Sequence, residues 1–233
     1  MNSNDRVLVI AAHPDDEVLG CGGTIARYRA EGCDVRVVFM DEGITDRFSP
    51  SEFDTDAVKE KSAKRNADAL EAMTVLGVNT DQVFLSERHC CRLDQVPLIE
   101  LTKQIEDHIR EFSPTHLFTH APDDPNIDHV TVHKAVLPAI RPIKGQHLRG
   151  VFAFEVLSST EWNPLKPYAP TVFQDITDSI TQKIAAMQKY ESEIHPPPHP
   201  RSPEVLQALA RFRGAQAGLD YAEGFVLIRG INL

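Results

Sequence analysis

The chain has 233 residues, 34 Asp and Glu against 24 Lys and Arg, with 42% hydrophobic and 25% charged side chains. This is the composition of a globule with enough apolar residues for a substantial core, and it excludes intrinsic disorder. A net charge of -10 disfavours general adhesion to nucleic acid or anionic membrane, both of which reward clustered Lys and Arg, and favours a small-molecule partner.

The longest apolar run, Val7 to Ala12, is too short to span a membrane, and residues 1–5 lack the basic and apolar regions of a signal peptide. A cytoplasmic protein is expected. Cys21, Cys33, Cys90 and Cys91 form no C-x-x-C pair and are read as reduced thiols.

In chain order, Arg6 to Ala12 is β-branched and lacks polar alternation, which suits a parallel strand buried on both faces. Val18 to Ala30 reads as a helix and Asp34 to Met40 as the next strand. A helix from Ala57 to Gly77 carries Ala63, Ala67, Leu70, Met73 and Leu76 at helical spacing, and Gln82 to Leu85 follows as a strand. Pro97 opens a helix with Leu98, Leu101, Ile105, Ile109 and Phe112 on one face. A strand at Thr115–Thr119, a helix at Asp128–Ala139 and a strand at Val151–Leu157 continue the alternation. Beyond them come an added strand at Thr171–Ile176, a helix through Ile180, Ile184, Met187 and Tyr190, and a helix at Glu204–Ala217. A closing strand spans Gly224–Arg229. Between the last two helices, His195 to Pro203 is too rich in proline to be helical and reads as a rigid loop near the site. The pattern predicts one domain over 1–233, an α/β fold with a Rossmann-like, doubly wound, mostly parallel sheet and helices on both faces.

Ligands of such sheets gather beyond the carboxyl ends of the strands, where His13-Pro14-Asp15-Asp16-Glu17 falls. A His and a carboxylate three residues later can present nitrogen and oxygen to one ion, which makes His13 and Asp16 candidate ligands. Asp15, between them, then suits a base for the attacking water. The same residues also suit a plain helix start, with Asp15 or Asp16 as N-cap and Glu17 complementing the dipole. A second polar cluster, His120 to His129, follows the fourth strand on the same rim. His129 can supply a third ligand and leave one coordination position open, as catalytic zinc requires. Alternatively His129 is a surface residue, Asp128 caps its helix and Asn126 holds a turn.

With both clusters in view, Ala12-His13-Pro14-Asp15-Asp16-Glu17 and the distal Asp128-His129 resemble the zinc-dependent N-deacetylases described as LmbE-like or PIG-L-like. The resemblance extends through Gly20-Cys21-Gly22-Gly23, Arg65-Asn66-Ala67-Asp68 with Leu76-Gly77, Pro200-Arg201-Ser202 and Tyr221-Ala222-Glu223. It implies that His13, Asp16 and His129 bind Zn2+, that Asp15 is the general base, that Arg65 lies near substrate, and that acetate is released from an N-acetylated sugar. Other divalent transition ions also suit a set of two His and one Asp.

One position departs from the family. Many members have a histidine three residues before the distal ligand, proposed to stabilise the oxyanion; Asn126 stands there in this chain. Asn126 can donate a neutral hydrogen bond but cannot act as an acid near neutral pH. His199 in the proline-rich loop, ahead of His120, is the candidate to replace it, as oxyanion donor or as acid toward the departing amine. Asp128 is read as orienting a histidine or capping its helix. Arg65, Arg47 and Glu155 are candidate substrate contacts, with Trp162, Asp41 and Glu42 behind them, whereas Glu223 is read as one half of a charge pair.

Two rival readings remain. Gly20-Cys21-Gly22-Gly23 with Asp41 imitates a dinucleotide-binding fingerprint, but Ile25 replaces its third glycine and the acidic loop would repel pyrophosphate. A catalytically silent sugar- or metal-binding module would explain Asn126, yet leaves Asp15 without a purpose. The sequence is compatible with a homo-oligomer.

Overall fold

The computed structural model describes residues 5–232; residues 1–4, on which part of the N-terminal reading rests, lie outside it. Seven strands form one sheet: β1 (Arg6–Ala11), β2 (Asp34–Phe39), β3 (Val83–Leu85), β4 (His116–His120), β5 (Gly150–Phe154), β6 (Val172–Asp175) and β7 (Ala222–Gly230), in the order 3-2-1-4-5-7-6. The first five are parallel, with Val7 opposite both Val35 and His116. β7 runs antiparallel to β5 and β6, so the far edge departs from the parallel pattern.

The α-helices among the described residues are α1 (Asp16–Ala30), α2 (Asp56–Val75), α3 (Leu98–Phe112), α4 (Ile127–Ala139), α5 (Ile180–Met187) and α6 (Pro203–Ala217). Alternate residues of β1 feed two cores, as a strand buried on both faces requires. Val7, Val9 and Ala11 pack with Leu19 and Ile25 of α1, Met73 of α2, Met187 of α5 and Leu206 of α6. Leu8 and Ile10 pack with Leu101 and Ile105 of α3 and Val132 and Val136 of α4. Among the described residues no helix is long and apolar enough to cross a membrane.

The glycines that imitate a dinucleotide fingerprint lie inside α1, and they serve packing. A Cβ on Gly20 would stand 2.3 Å from Cδ2 of Phe154. Beside it α1 breaks at Cys21, with φ -147° and ψ 22°. The amides of Gly23 and Thr24 donate instead to the Glu223 carboxylate at 2.9 and 2.7 Å, and Lys183 Nζ donates to the Leu19 carbonyl at 2.9 Å and to Glu223 at 2.5 Å. Glu223 thus joins a buried ion pair that fixes the bend of the helix whose start forms the rim.

Candidate active site

At the carboxyl ends of the strands a cleft of about 340 Å3 opens, lined among others by His13, Asp15, Asp16, Arg65, Asn126 and His129. Another cavity, of about 370 Å3, sits at the opposite end of the strands; its lining is dominated by Tyr28, Phe118, Phe152 and Phe225. The convergent ionisable groups are in the rim cleft.

His13 leaves β1 and turns immediately, its backbone N–H donating to Asp16 Oδ2 at 2.8 Å. Gly43, after β2, comes so close that a Cβ there would lie 2.6 Å from His13 Cβ, and its φ of +71° also suits glycine. His13 Nδ1 stands 3.5 Å from Asp16 Oδ2, and His129 Nε2 stands 3.3 Å from Asp16 Oδ1. Ligands at about 2.0–2.1 Å from a tetrahedral ion are separated by about 3.3 Å, so each imidazole stands at about ligand spacing from one of the two Asp16 oxygens. All three residues are buried, and their ligand atoms lie within 4.8 Å of one another.

The far nitrogens of both rings meet carboxylates: His13 Nε2 is 3.0 Å from Asp128 Oδ2 and His129 Nδ1 is 3.2 Å from Asp124 Oδ1. Metal-binding histidines usually have such partners, which fix the ring and leave the other nitrogen to the ion. The donor set therefore fits a divalent cation.

Asp15 does not belong to that set. It occupies the N-cap position of α1 with φ 113°, yet its side chain makes no cap bond. Its Oδ2 faces Arg201 Nη1 at 3.0 Å and Arg65 Nη2 at 3.3 Å. Burial raises the Asp15 carboxyl above the ordinary carboxylate range, and the two guanidiniums pull it back. The strained, left-handed backbone is held from behind: the Asp15 amide donates to Glu17 Oε2 at 2.9 Å and Tyr190 Oη donates to Glu17 Oε1 at 2.6 Å. Burial pushes Glu17 up to about 8, and with both oxygens accepting these bonds it serves as a prop for the Asp15 turn.

A profile of the family described as PIG-L: GlcNAc-PI de-N-acetylase matches residues 8–140, more than half of the chain. This chain belongs to the PIG-L family. It is 27% identical to the 1D-myo-inositol 2-acetamido-2-deoxy-alpha-D-glucopyranoside deacetylase of Mycobacterium sp. (strain JLS), over 97% of this chain and 84% of that protein. It is 24% identical to the diacetylchitobiose deacetylase of Thermococcus kodakarensis, over 100% of this chain and 86% of the relative. The solved N,N'-diacetylchitobiose deacetylase from Pyrococcus horikoshii shares the fold, with a TM-score of 0.75 and 23% identity over 97% of this chain and 84% of that one.

In this PIG-L chain the remaining candidates separate. Asn126 caps α4, its Oδ1 accepting the amides of Asp128 and His129 at 2.9 and 3.4 Å, so the cap is Asn126 and not Asp128. With that oxygen engaged, the group Asn126 can offer the cleft is its amide nitrogen. His120 is wholly buried; its Nε2 accepts the Ala12 amide at 2.8 Å and its ring stacks on His129 at 4.1 Å. Burial drives it well below the usual histidine range, in keeping with a neutral acceptor.

His199 does not line the cleft. Its Nδ1 accepts the Arg201 amide at 3.1 Å and its ring packs on His195. The residue that the proline-rich loop sends inward is Arg201. Glu155 is likewise engaged elsewhere, both oxygens receiving Arg213 at 2.7 Å, and Trp162 is 60% exposed outside the cleft. Asp41 and Glu42 are buried and accept loop amides, from His89 and Cys91 and from Ile44 respectively. Arg47 lines the cleft and donates to Glu193 at 2.6 Å.

Beyond Arg201 and Ser159, to which it gave no role, sequence reasoning missed three site residues. Glu193 is fully buried and pairs with Arg47, Arg65 and Arg201; against the cost of burial these three hold it down to about 2. Asp124 stands in the rim cluster, but nothing in the sequence separates it from Asp123. Cys91 joins the cleft from the loop after β3.

Proposed function

We propose that this chain is a metal-dependent amide hydrolase that removes the acetyl group from an N-acetylated amino sugar or sugar conjugate. The observation that carries the reading is the division of labour at one helix start. Asp16 faces two imidazoles that are each backed by a carboxylate, while the adjacent Asp15 turns away to two arginines.

His13, Asp16 and His129 would hold the ion, zinc or another divalent transition metal. Bound there, such an ion supplies Lewis-acid polarisation of the amide carbonyl. Asp15 takes the proton from the attacking water and returns it to the departing amine, which needs no second acid. Arg65 and Arg201 hold the Asp15 carboxylate in place, and Arg65 is itself fixed by the Pro14 carbonyl at 2.7 Å. The Asn126 amide nitrogen donates to the oxyanion as the carbonyl carbon becomes tetrahedral. Arg47 and Ser159 line the approach for the sugar.

The deciding experiment measures acetate release from a panel of free, nucleotide-linked and lipid-linked N-acetylated amino sugars with zinc present. Activity on at least one class is expected, and Asp15→Asn should keep its metal while turnover falls about 10²- to 10⁴-fold. Undiminished turnover in Asp15→Asn, or no release across the panel, sinks the proposal.

A further inference from the structure

Cys91 faces the cleft but has no part in the reaction proposed above. Its loop is fixed by Asp41, whose Oδ2 accepts the Cys91 amide at 2.6 Å. The Cys91 thiol, an imidazole nitrogen of His13 and a carboxylate oxygen of Asp128 lie within 4.8 Å of one another. On the Asp128 side the contact is Nε2 to Oδ2 at 3.0 Å, while Oδ1 is occupied by the Leu93 amide at 2.9 Å. These donors come from two rim loops and the first turn of α4; His13 and Asp128 are buried and Cys91 is half-buried.

We propose that His13, Cys91 and Asp128 form a second metal position, next to the His13–Asp16–His129 set, that takes a thiophilic divalent cation such as Zn2+ or Cd2+ when it is in excess. One sulfur, one nitrogen and one oxygen donor select such ions over Mg2+ or Ca2+, which prefer all-oxygen sites. Binding through Nε2, the nitrogen that faces Asp128, releases the Sγ proton to solvent and, where the first position is already filled, the Nε2 proton as well. It also breaks the contact by which Asp128 orients His13, so filling this position inhibits the enzyme. Only that inhibition rests on the proposed hydrolase; the binding does not.

The test is titration of the full chain with Cd2+, following bound metal and the ultraviolet thiolate-to-metal band. Two equivalents are expected, with the band growing on the second. Cys91→Ser should lose one equivalent and the band, whereas Cys90→Ser should keep both. Asp16→Asn should weaken the first equivalent and spare the band, so failure of the first position is distinguishable from failure of the second. Cd2+ should also protect Cys91 of the unmutated protein from alkylation, which needs no variant to fold. A missing band, a band that survives in Cys91→Ser, or unprotected alkylation overturns the proposal.

Discussion

Asp124 Oδ1 stands 3.2 Å from Nδ1 of His129, while Asp16 faces the other nitrogen of the same ring at 3.3 Å. The carboxylate is itself clamped: Thr160 Oγ1 donates to Oδ2 at 2.5 Å, Ser159 Oγ donates to Oδ1, and the Asn126 backbone N–H donates to Oδ1 at 2.9 Å. A clamped partner of this kind fixes the ring and raises its basicity toward an ion. Asp124→Asn should therefore weaken metal binding about 10- to 100-fold in a chelator competition. An unchanged affinity would show that His129 needs no such support.

Glu193 and its three arginines make a second test. Its carboxylate is inaccessible, whereas the Arg47 side chain is 41% exposed. Removing one member of a buried pair leaves its partners' charge uncompensated, at about 3–5 kcal/mol, while exposed pairs contribute about 0–1 kcal/mol. Glu193→Gln should thus lower stability in urea by several kcal/mol and release Arg65 and Arg201 from their shared anchor beside Asp15. Arg47→Ala should cost about 1 kcal/mol or less. Equal costs would mean that the network is solvated.

The parallel strands were readable because burial on both faces leaves continuous apolar runs such as Val7-Leu8-Val9-Ile10, and the rim loops follow from where those runs stop. The reversed direction of β7 was not, since side-chain alternation is the same for either orientation. At the site, adjacency in sequence misleads in a consistent way. The proline-rich loop does reach the cleft, but through Arg201, because His199 turns its ring to His195 and its Nδ1 to the Arg201 amide. The loop after β5 reaches it too, through Ser158 and Ser159, while Glu155 is drawn off to Arg213 by a bidentate pair. A sequence fixes which loops meet at a rim; side-chain direction depends on partners that lie far along the chain.

The α1 glycines give a prediction that separates packing from phosphate binding. Beside Gly20 the Phe154 ring is wholly buried, and three of its atoms would lie within 2.9 Å of an added Cβ. A clash with a buried ring cannot be relieved by swinging a side chain into water, so Gly20→Ala should cost about 1–3 kcal/mol, read as a lower urea midpoint. At Gly22 the nearest atom to an added Cβ is Val18 Cγ1 at 3.2 Å, and Gly22→Ala should cost less. A neutral Gly20→Ala would mean that α1 is free to move away from β5.

The last prediction concerns pH and a residue far from the cleft. His116 opens β4 with 4% exposure, its Nδ1 2.9 Å from Thr115 Oγ1 and its ring stacked on Phe152. Burial pushes it down to about 4, from the 6.5 expected when unfolded. Between those values the unfolded chain binds a proton that the folded chain does not, so stability from this group is present above about pH 6.5 and declines as pH falls toward about 4. The full difference is on the order of 3 kcal/mol. In paired urea titrations, stability of the parent protein should fall by about that much more than His116→Gln across this window, whatever offset separates them at about pH 8. Parallel pH profiles would show that the folded protein accommodates the charged ring at no cost.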